Sequence, residues 1–79
     1  MATTAMAKMY VNGRMSVGQV SRFDAHGKTF DVKKLAAETY SMGCIGIQRR
    51  RFGTLCDIRQ DVVHALETGT LPERKGSGF

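Results

Sequence analysis

The spacing of hydrophobic residues changes along the chain, and the first pattern is an alternation around Asn12 and Gly13 in KMYVNGRMSV. Asn-Gly is the preferred pair for a two-residue type I′ turn, because both central residues must adopt positive φ. Alternating apolar residues on either side are typical of a hairpin with one buried face. The pattern therefore predicts that residues 8–11 pair antiparallel with residues 14–17.

The next segment, GQVSRFDAHGKTF, supports two interpretations. In the first, DAHG is a turn before a third short strand over residues 28–30, and Gly18 is a bulge. In the second, Ser16 caps a short helix that ends near Phe23. The first interpretation gives a three-stranded meander at the N-terminus.

From Asp31 onward the apolar spacing becomes helical. Positions i, i+3, i+4, i+7 and i+8 are occupied by one stripe: Val32, Leu35, Ala36, Thr39 and Tyr40. Asp31 is a suitable N-cap and Gly43 a suitable C-terminal residue. The segment is predicted to be a helix.

A second helix is predicted after Gly53. Thr54 and Asp57 have the spacing of a capping box, and Gly69 and Pro72 end the pattern. The apolar stripe of this helix comprises Leu55, Ile58, Val62, Ala65 and Leu66. The tail over residues 72–79 is rich in glycine, serine and charge and is predicted to be disordered.

These elements together predict an α+β fold. An N-terminal β-hairpin or three-stranded meander (residues 1–30) precedes a two- or three-helix, helix-turn-helix-like unit (residues 31–69), all within one domain over residues 1–71. Two amphipathic stripes in so small a domain have little else to pack on. They predict a mutually buried core of Val32, Leu35, Ala36, Ile58, Val62 and Leu66.

The stretch CIGIQRRRF, residues 44–52, is open to two interpretations. As a helix it would be short and basic, lying between the two predicted helices. As a strand, Ile45 and Ile47 would alternate with Gly46 and Gln48, and the arginines would form an exposed edge that blocks further pairing. Three consecutive arginines cannot share one face of either element.

Length and charge bear on function. A chain of 79 residues has little room for a deep pocket beside its core, which argues against an enzyme. The net charge is +5, and it is unevenly placed: residues 28–53 carry six basic against two acidic side chains, whereas residues 54–67 carry one against three. Such polarisation is typical of a protein that binds an anionic partner through one side.

Composition argues against several classes of site and location. Cys44 and Cys56 lie among apolar residues and are predicted to be buried thiols, and together with His26 and His64 they lack the spacing of a metal site. No cofactor motif is present. No apolar run could span a membrane and no signal-peptide pattern occurs, so a cytoplasmic protein is expected. Tyr10, Phe23 and Phe30 could stack on nucleobases, but as the main aromatic residues they fit a core better.

The segment GKTFDVKKLAAETYSMGCIGIQRRRFGTLCDIRQDVVHALETG resembles a small helix-turn-helix module of the kind found in phage and homing-endonuclease-associated proteins. In that family a leucine-alanine pair, a turn and a β-branched residue precede basic residues. Leu35, Ala36 and Ile47 occupy the packing positions here. The chain departs from the pattern at Tyr40, where glycine is usual, and at Gly46, which would lie inside the recognition helix.

The resemblance implies binding to double-stranded DNA. Gln48, Arg49, Arg50 and Arg51 would enter the major groove, where glutamine can read adenine and arginine can read guanine or clamp phosphate. Lys28, Lys33 and Lys34 would position the backbone, and a homodimer on two half-sites would supply affinity. The implied function is that of a phage or mobile-element regulator. The alternative hypothesis is a small adaptor or inhibitor that docks its basic side on an acidic surface of a host enzyme.

Overall fold

The computed structural model describes residues 4–72, which form an antiparallel sheet with one long helix on one of its faces. The elements in chain order are α1 (Thr4–Ala7), β1 (Val20–Ala25), β2 (Lys28–Ala36), β3 (Thr39–Cys44), β4 (Arg51–Gly53) and α2 (Leu55–Thr68). The four strands are neighbours in the order in which they occur, so the sheet is a simple meander.

The first hairpin turns at His26 and Gly27, not at Asn12 and Gly13. His26 has φ 53° and Gly27 has φ 77°, the positive values that a type I′ turn requires. They join Ala25 directly to its partner Lys28. The turn predicted at DAHG is therefore confirmed, although the strand that follows continues to Ala36 rather than ending at Phe30.

The hairpin predicted around Asn12 is wrong. Neither Asn12 nor Gly13 has positive φ, and residues 8–17 contain no strand. The Asn12 side chain instead accepts a hydrogen bond from the Arg14 backbone N–H at 2.9 Å and donates one to the Lys8 carbonyl at 3.3 Å. These local bonds give the backbone an alternative to a hairpin ladder, because a short amide side chain can itself close a turn.

The helix predicted from Asp31 to Gly43 is also wrong, since this segment forms most of β2 and β3. Val32 pairs with Met42 and Lys34 pairs with Tyr40, and a register shift between Lys34 and Ala36 precedes the turn at residues 37–38. Of the five residues in the apparent helical stripe, Val32 before that turn and Tyr40 after it are buried, whereas Leu35, Ala36 and Thr39 are exposed. Side chains from the two strands that flank the turn, rather than one helical stripe, contact the core.

The second predicted helix is confirmed as α2. The Thr54 side chain accepts from the Asp57 N–H at 3.2 Å, and the Asp57 carboxylate accepts from the Thr54 N–H at 3.1 Å, which completes a capping box. Gly69 ends the helix with φ 72°, and its N–H donates to the Ala65 carbonyl at 2.8 Å. Both ends thus follow from local residues.

The core lies between the sheet and α2, and the N-terminal segment closes one side of it. The sheet contributes Phe23, Phe30, Val32, Tyr40, Met42 and Cys44; α2 contributes Ile58, Val62 and Ala65; Ala7, Val11, Met15 and Leu71 complete it. Tyr10 stacks on Phe23 and Phe23 on Phe30, with ring centroids 4.8 and 5.3 Å apart. The aromatic residues of the predicted core therefore do pack inside.

The predicted core is correct at three of its positions and wrong at two. Val32, Ile58 and Val62 are fully buried and Leu66 is partly buried. Leu35 is 38% exposed, and Ala36 is exposed beside the hairpin turn. Leu35 lies on the opposite side of β2 from Val32, because side chains alternate along a strand.

The helix-turn-helix-like unit predicted over residues 31–69 is wrong, because α2 is the one long helix in residues 4–72. Residues 44–52 contain no helix: Cys44 ends β3, residues 45–50 form a loop, and Arg51 begins β4. Gly46 adopts φ 93° in that loop, a conformation that a recognition helix excludes. Within residues 4–72, neither α1 nor α2 is long and apolar enough to cross a membrane. Of the tail predicted over residues 72–79, all but Pro72 lies outside the described residues.

Candidate binding surface on the open face of the sheet

The sheet has one covered face and one open face. Helix α2 packs on the strands from one side, and within residues 4–72 no element packs on the other. We call this second side the open face. It contains a shallow depression of about 410 Å³ lined by side chains from all four strands and the loop before β4: Val20, Arg22, Asp31, Lys33, Leu35, Ser41, Arg50 and Phe52.

One row of side chains crosses the open face from edge to edge. Val20 pairs with Lys33, Lys33 with Ser41, and Ser41 with Phe52. Cross-strand partners point to the same side of a sheet, so these four residues form a continuous line. The line changes from apolar to basic to hydroxyl to aromatic, and it is about 14 Å long at the usual strand spacing.

A second row is built around a salt bridge. Arg22 pairs with Asp31, and Asp31 with Gly43. The Arg50 guanidinium donates to the Asp31 carboxylate at 2.7 Å and to the Ser41 hydroxyl at 3.0 Å, which buries Ser41 completely. Arg50 thus lies across the strands and is held at two points.

The position of the Arg50 side chain requires glycine at residue 43. A Cβ added at residue 43 would meet Nη1 of Arg50 and lie 3.0 Å from its Cζ. Gly43 does not have positive φ, so close approach rather than backbone conformation is what requires glycine here.

The open face keeps a net positive charge after this pairing. Arg50 neutralises Asp31, and Asp24 lies on the same side of β1 as Arg22, so Arg22 and Lys33 leave an excess of one positive charge; neither has an ion-pair partner among residues 4–72. Helix α2, on the covered side, carries Asp57, Asp61 and Glu67 against Arg59.

Three apolar side chains add a second property to the open face. Phe52 is 55% exposed, Val20 is 44% exposed and Leu35 is 38% exposed. Scattered apolar residues are ordinary on a protein surface, but these three line one depression together with cationic groups. The combination suits a ligand that has both negative charge and flat or apolar parts.

The basic residues proposed from the sequence are divided among different surfaces. Lys33 and Arg50 line the open face. Lys28 and Lys34 project to the other side of β2, where the Lys34 ammonium donates to the Met15 carbonyl at 2.9 Å and lies 5.6 Å from the centre of the Tyr40 ring. Lys34 is thus part of the packing of the N-terminal segment.

The four residues Gln48, Arg49, Arg50 and Arg51 likewise do not form one surface. Gln48 and Arg49 are exposed in the loop before β4. Arg51 projects to the helix side, where its Nε lies 3.8 Å from Oδ2 of Asp61 and both side chains are about nine-tenths buried. The side chains of Arg50 and Arg51 therefore lie on opposite faces of the sheet.

Two residues of the open face were missed by the sequence interpretation: Arg22 and Phe52. Both are signalled by strand alternation, since in VSRFDA the inward residue Phe23 places Arg22 outward. In RFG, Arg51 faces inward, which directs Phe52 outward. The signal was present, but it can be used only once these segments are known to be strands.

The cysteines and histidines form no additional site in the described part of the chain. Both thiols are free; Cys44 is buried as predicted, whereas Cys56 is exposed on α2, which corrects the prediction of two buried thiols. His26 Nε2 lies 3.1 Å from the Leu66 carbonyl, and His64 Nε2 lies 3.1 Å from the Thr70 hydroxyl. Among residues 4–72, no three His, Cys, Asp or Glu side chains are placed to hold a metal ion.

Comparison with known proteins gives no match for this chain: no family model, no curated protein and no solved structure is significantly similar to it.

Proposed function

We propose that this protein is a small nucleic-acid-binding module that uses the open face of its sheet. The main observation in support of the proposal is that Arg22, Lys33 and Phe52 lie on one uncovered surface. Exposed cations attract phosphates, and an exposed aromatic ring offers a base a surface for stacking. A recognition helix has no part in the proposal.

The exposed cations of the open face support an anionic ligand on this side. Arg22 and Lys33 project from it, whereas helix α2 on the other side has a net negative charge. Phosphate contacts of this kind dominate affinity for nucleic acid and make it depend steeply on salt.

The competing proposal is that the same face docks on an acidic protein surface. The apolar side chains Val20, Leu35 and Phe52 favour it, because protein interfaces bury apolar residues at their centre. Both proposals require the open face, but they differ in whether an isolated nucleic acid binds.

The test is a titration of the full chain with labelled random-sequence single- and double-stranded DNA and RNA at several salt concentrations. Alanine at Arg22 or Lys33 is expected to weaken binding and to lower the salt slope by about one unit for each phosphate that is no longer neutralised. Lys28→Ala is the matched control, because Lys28 is exposed on the same strand as Lys33 but projects to the other side.

The proposal fails if no nucleic acid binds at low salt, or if Lys28→Ala weakens binding as much as Lys33→Ala. In the first case, binding to an acidic protein becomes the better use of the surface. In the second, the attraction depends on net charge and not on the open face.

A further inference from the structure

We infer that the ligand of the open face is a single strand of nucleic acid, laid across the four strands of the sheet, rather than a duplex. This inference rests on the proposed function and specifies its substrate class. It depends on the width of the open face, on the position of Phe52 and on the hydrogen bonds that hold the Arg50 side chain in place.

The width of the face argues against entry into a duplex groove. The major groove of B-DNA is about 12 Å wide and admits a helix or a two-stranded ribbon. The row from Val20 to Phe52 includes four paired strands and spans about 14 Å before its side chains are counted. The central strands β2 and β3 are flanked on both sides along this row, so they cannot enter a groove as a separate ribbon.

Phe52 supplies a contact that only an unpaired base can use. It is the most exposed aromatic side chain among the residues with described burial, and it lies at one end of the row, on edge strand β4. A base stacks on a phenyl ring only when it has left its own stack, which is the ordinary condition of a single strand. In a duplex the same contact would require unstacking of neighbouring base pairs.

The cations lie where the backbone of such a strand would pass. Lys33 is two strand spacings from Phe52 in the same row, about 10 Å, so a short segment can place a base on the ring and a phosphate on the ammonium. Arg22 lies one row away on β1 and can contact the next phosphate.

The Arg50 side chain forms a part of this surface that is held in place by hydrogen bonds. Its guanidinium is held by Asp31 and Ser41 above Gly43, between the row that contains Phe52 and the row that contains Arg22. A planar group that is already held in place loses little freedom when a base or sugar packs on it. Part of the surface that a flat ligand would contact is therefore already ordered in the free protein.

The experiment compares a labelled single strand of about ten nucleotides with the blunt duplex of the same sequence, both titrated with the full chain at one salt concentration. The single strand is expected to bind at least tenfold more tightly. Phe52→Leu, which keeps an apolar side chain but removes the ring, is expected to weaken single-strand binding about tenfold, and Phe52→Tyr to restore it. Circular dichroism of each variant checks that the fold is intact.

Two results would overturn the inference and leave the proposed function standing. One is a duplex that binds as tightly as the single strand. The other is a Phe52→Leu variant that binds the single strand normally while Lys33→Ala weakens it, which would limit the interaction to phosphates. Failure of both ligands to bind would instead reject the proposed function itself.

Discussion

The guanidinium of Arg50 lies directly over the backbone of Gly43, in space that any side chain at residue 43 would occupy. The same guanidinium binds Asp31 and Ser41, so three strand residues determine where one arginine rests. The arrangement explains why a glycine occurs within a paired strand, where it would otherwise weaken the sheet.

Gly43→Ala is expected to displace Arg50 and lower the free energy of unfolding by about 1–2 kcal/mol, because Asp31 is then separated from its charged partner. The salt bridge is partly exposed, so a value at the lower end of that range is expected. Urea unfolding measures the change. In an Arg50→Ala background the same substitution should have almost no effect; an equal decrease in both backgrounds would show that the position of Arg50 is not the cause.

Ile58→Ala is expected to lower the free energy of unfolding by about 2–5 kcal/mol, because Ile58 is fully buried between α2 and the sheet. Leu35→Ala removes a similar side chain from the open face and is expected to cost less than about 1 kcal/mol. Thermal or urea unfolding of the two variants compares them. Equal decreases would mean that Leu35 is covered in the native protein.

Gly69→Ala is expected to destabilise the protein more than Gly27→Ala, although both residues have positive φ. Each substitution forces alanine into the left-handed region, at about 1–2 kcal/mol. Only at Gly69 does the new Cβ meet another residue, at 2.5 Å from Cβ of His26, whereas nothing lies within 4 Å at Gly27. Denaturant midpoints of the two variants measure the difference, and a larger effect at Gly27 would contradict the packing of His26 against the end of α2.

Arg51→Ala is expected to destabilise the protein by about 3 kcal/mol, because it removes a cation from beside the buried carboxylate of Asp61. Gln48→Ala, in the exposed loop, should change stability by less than about 0.5 kcal/mol. Replacing both members of the buried pair, with Arg51→Met and Asp61→Leu, should recover part of the stability. If the double variant is less stable than Arg51→Ala alone, the pair is not the reason for the effect.

The candidate site could be predicted from the sequence only in part. The basic character of residues 28–53 was evident, and Lys33 and Arg50 were among the residues that it singled out. The direction of each side chain was not evident, because it depends on whether a segment is helix or strand. Lys34 and Arg51 were therefore grouped with exposed cations although they pack on the covered side, and Phe52 was overlooked.

The sequence by itself determined the elements whose hydrogen bonds are local. The caps of α2 lie within four residues of the groups they satisfy, and the type I′ turn at His26 and Gly27 requires positive φ at those two residues alone. Such signals do not depend on the rest of the chain. The uneven distribution of charge is likewise a property of composition alone.

Only the tertiary structure decided that residues 31–44 form two strands and not a helix. Leucine and alanine favour a helix, but β2 and β3 satisfy their backbone groups on each other and bury Val32, Tyr40 and Met42 against α2. The preference of a residue for a strand depends on its cross-strand neighbours and on burial, which become known only when distant segments meet. That pairing placed Lys33 and Phe52 on one surface and Arg51 on the other, since a strand alternates its side chains between two faces.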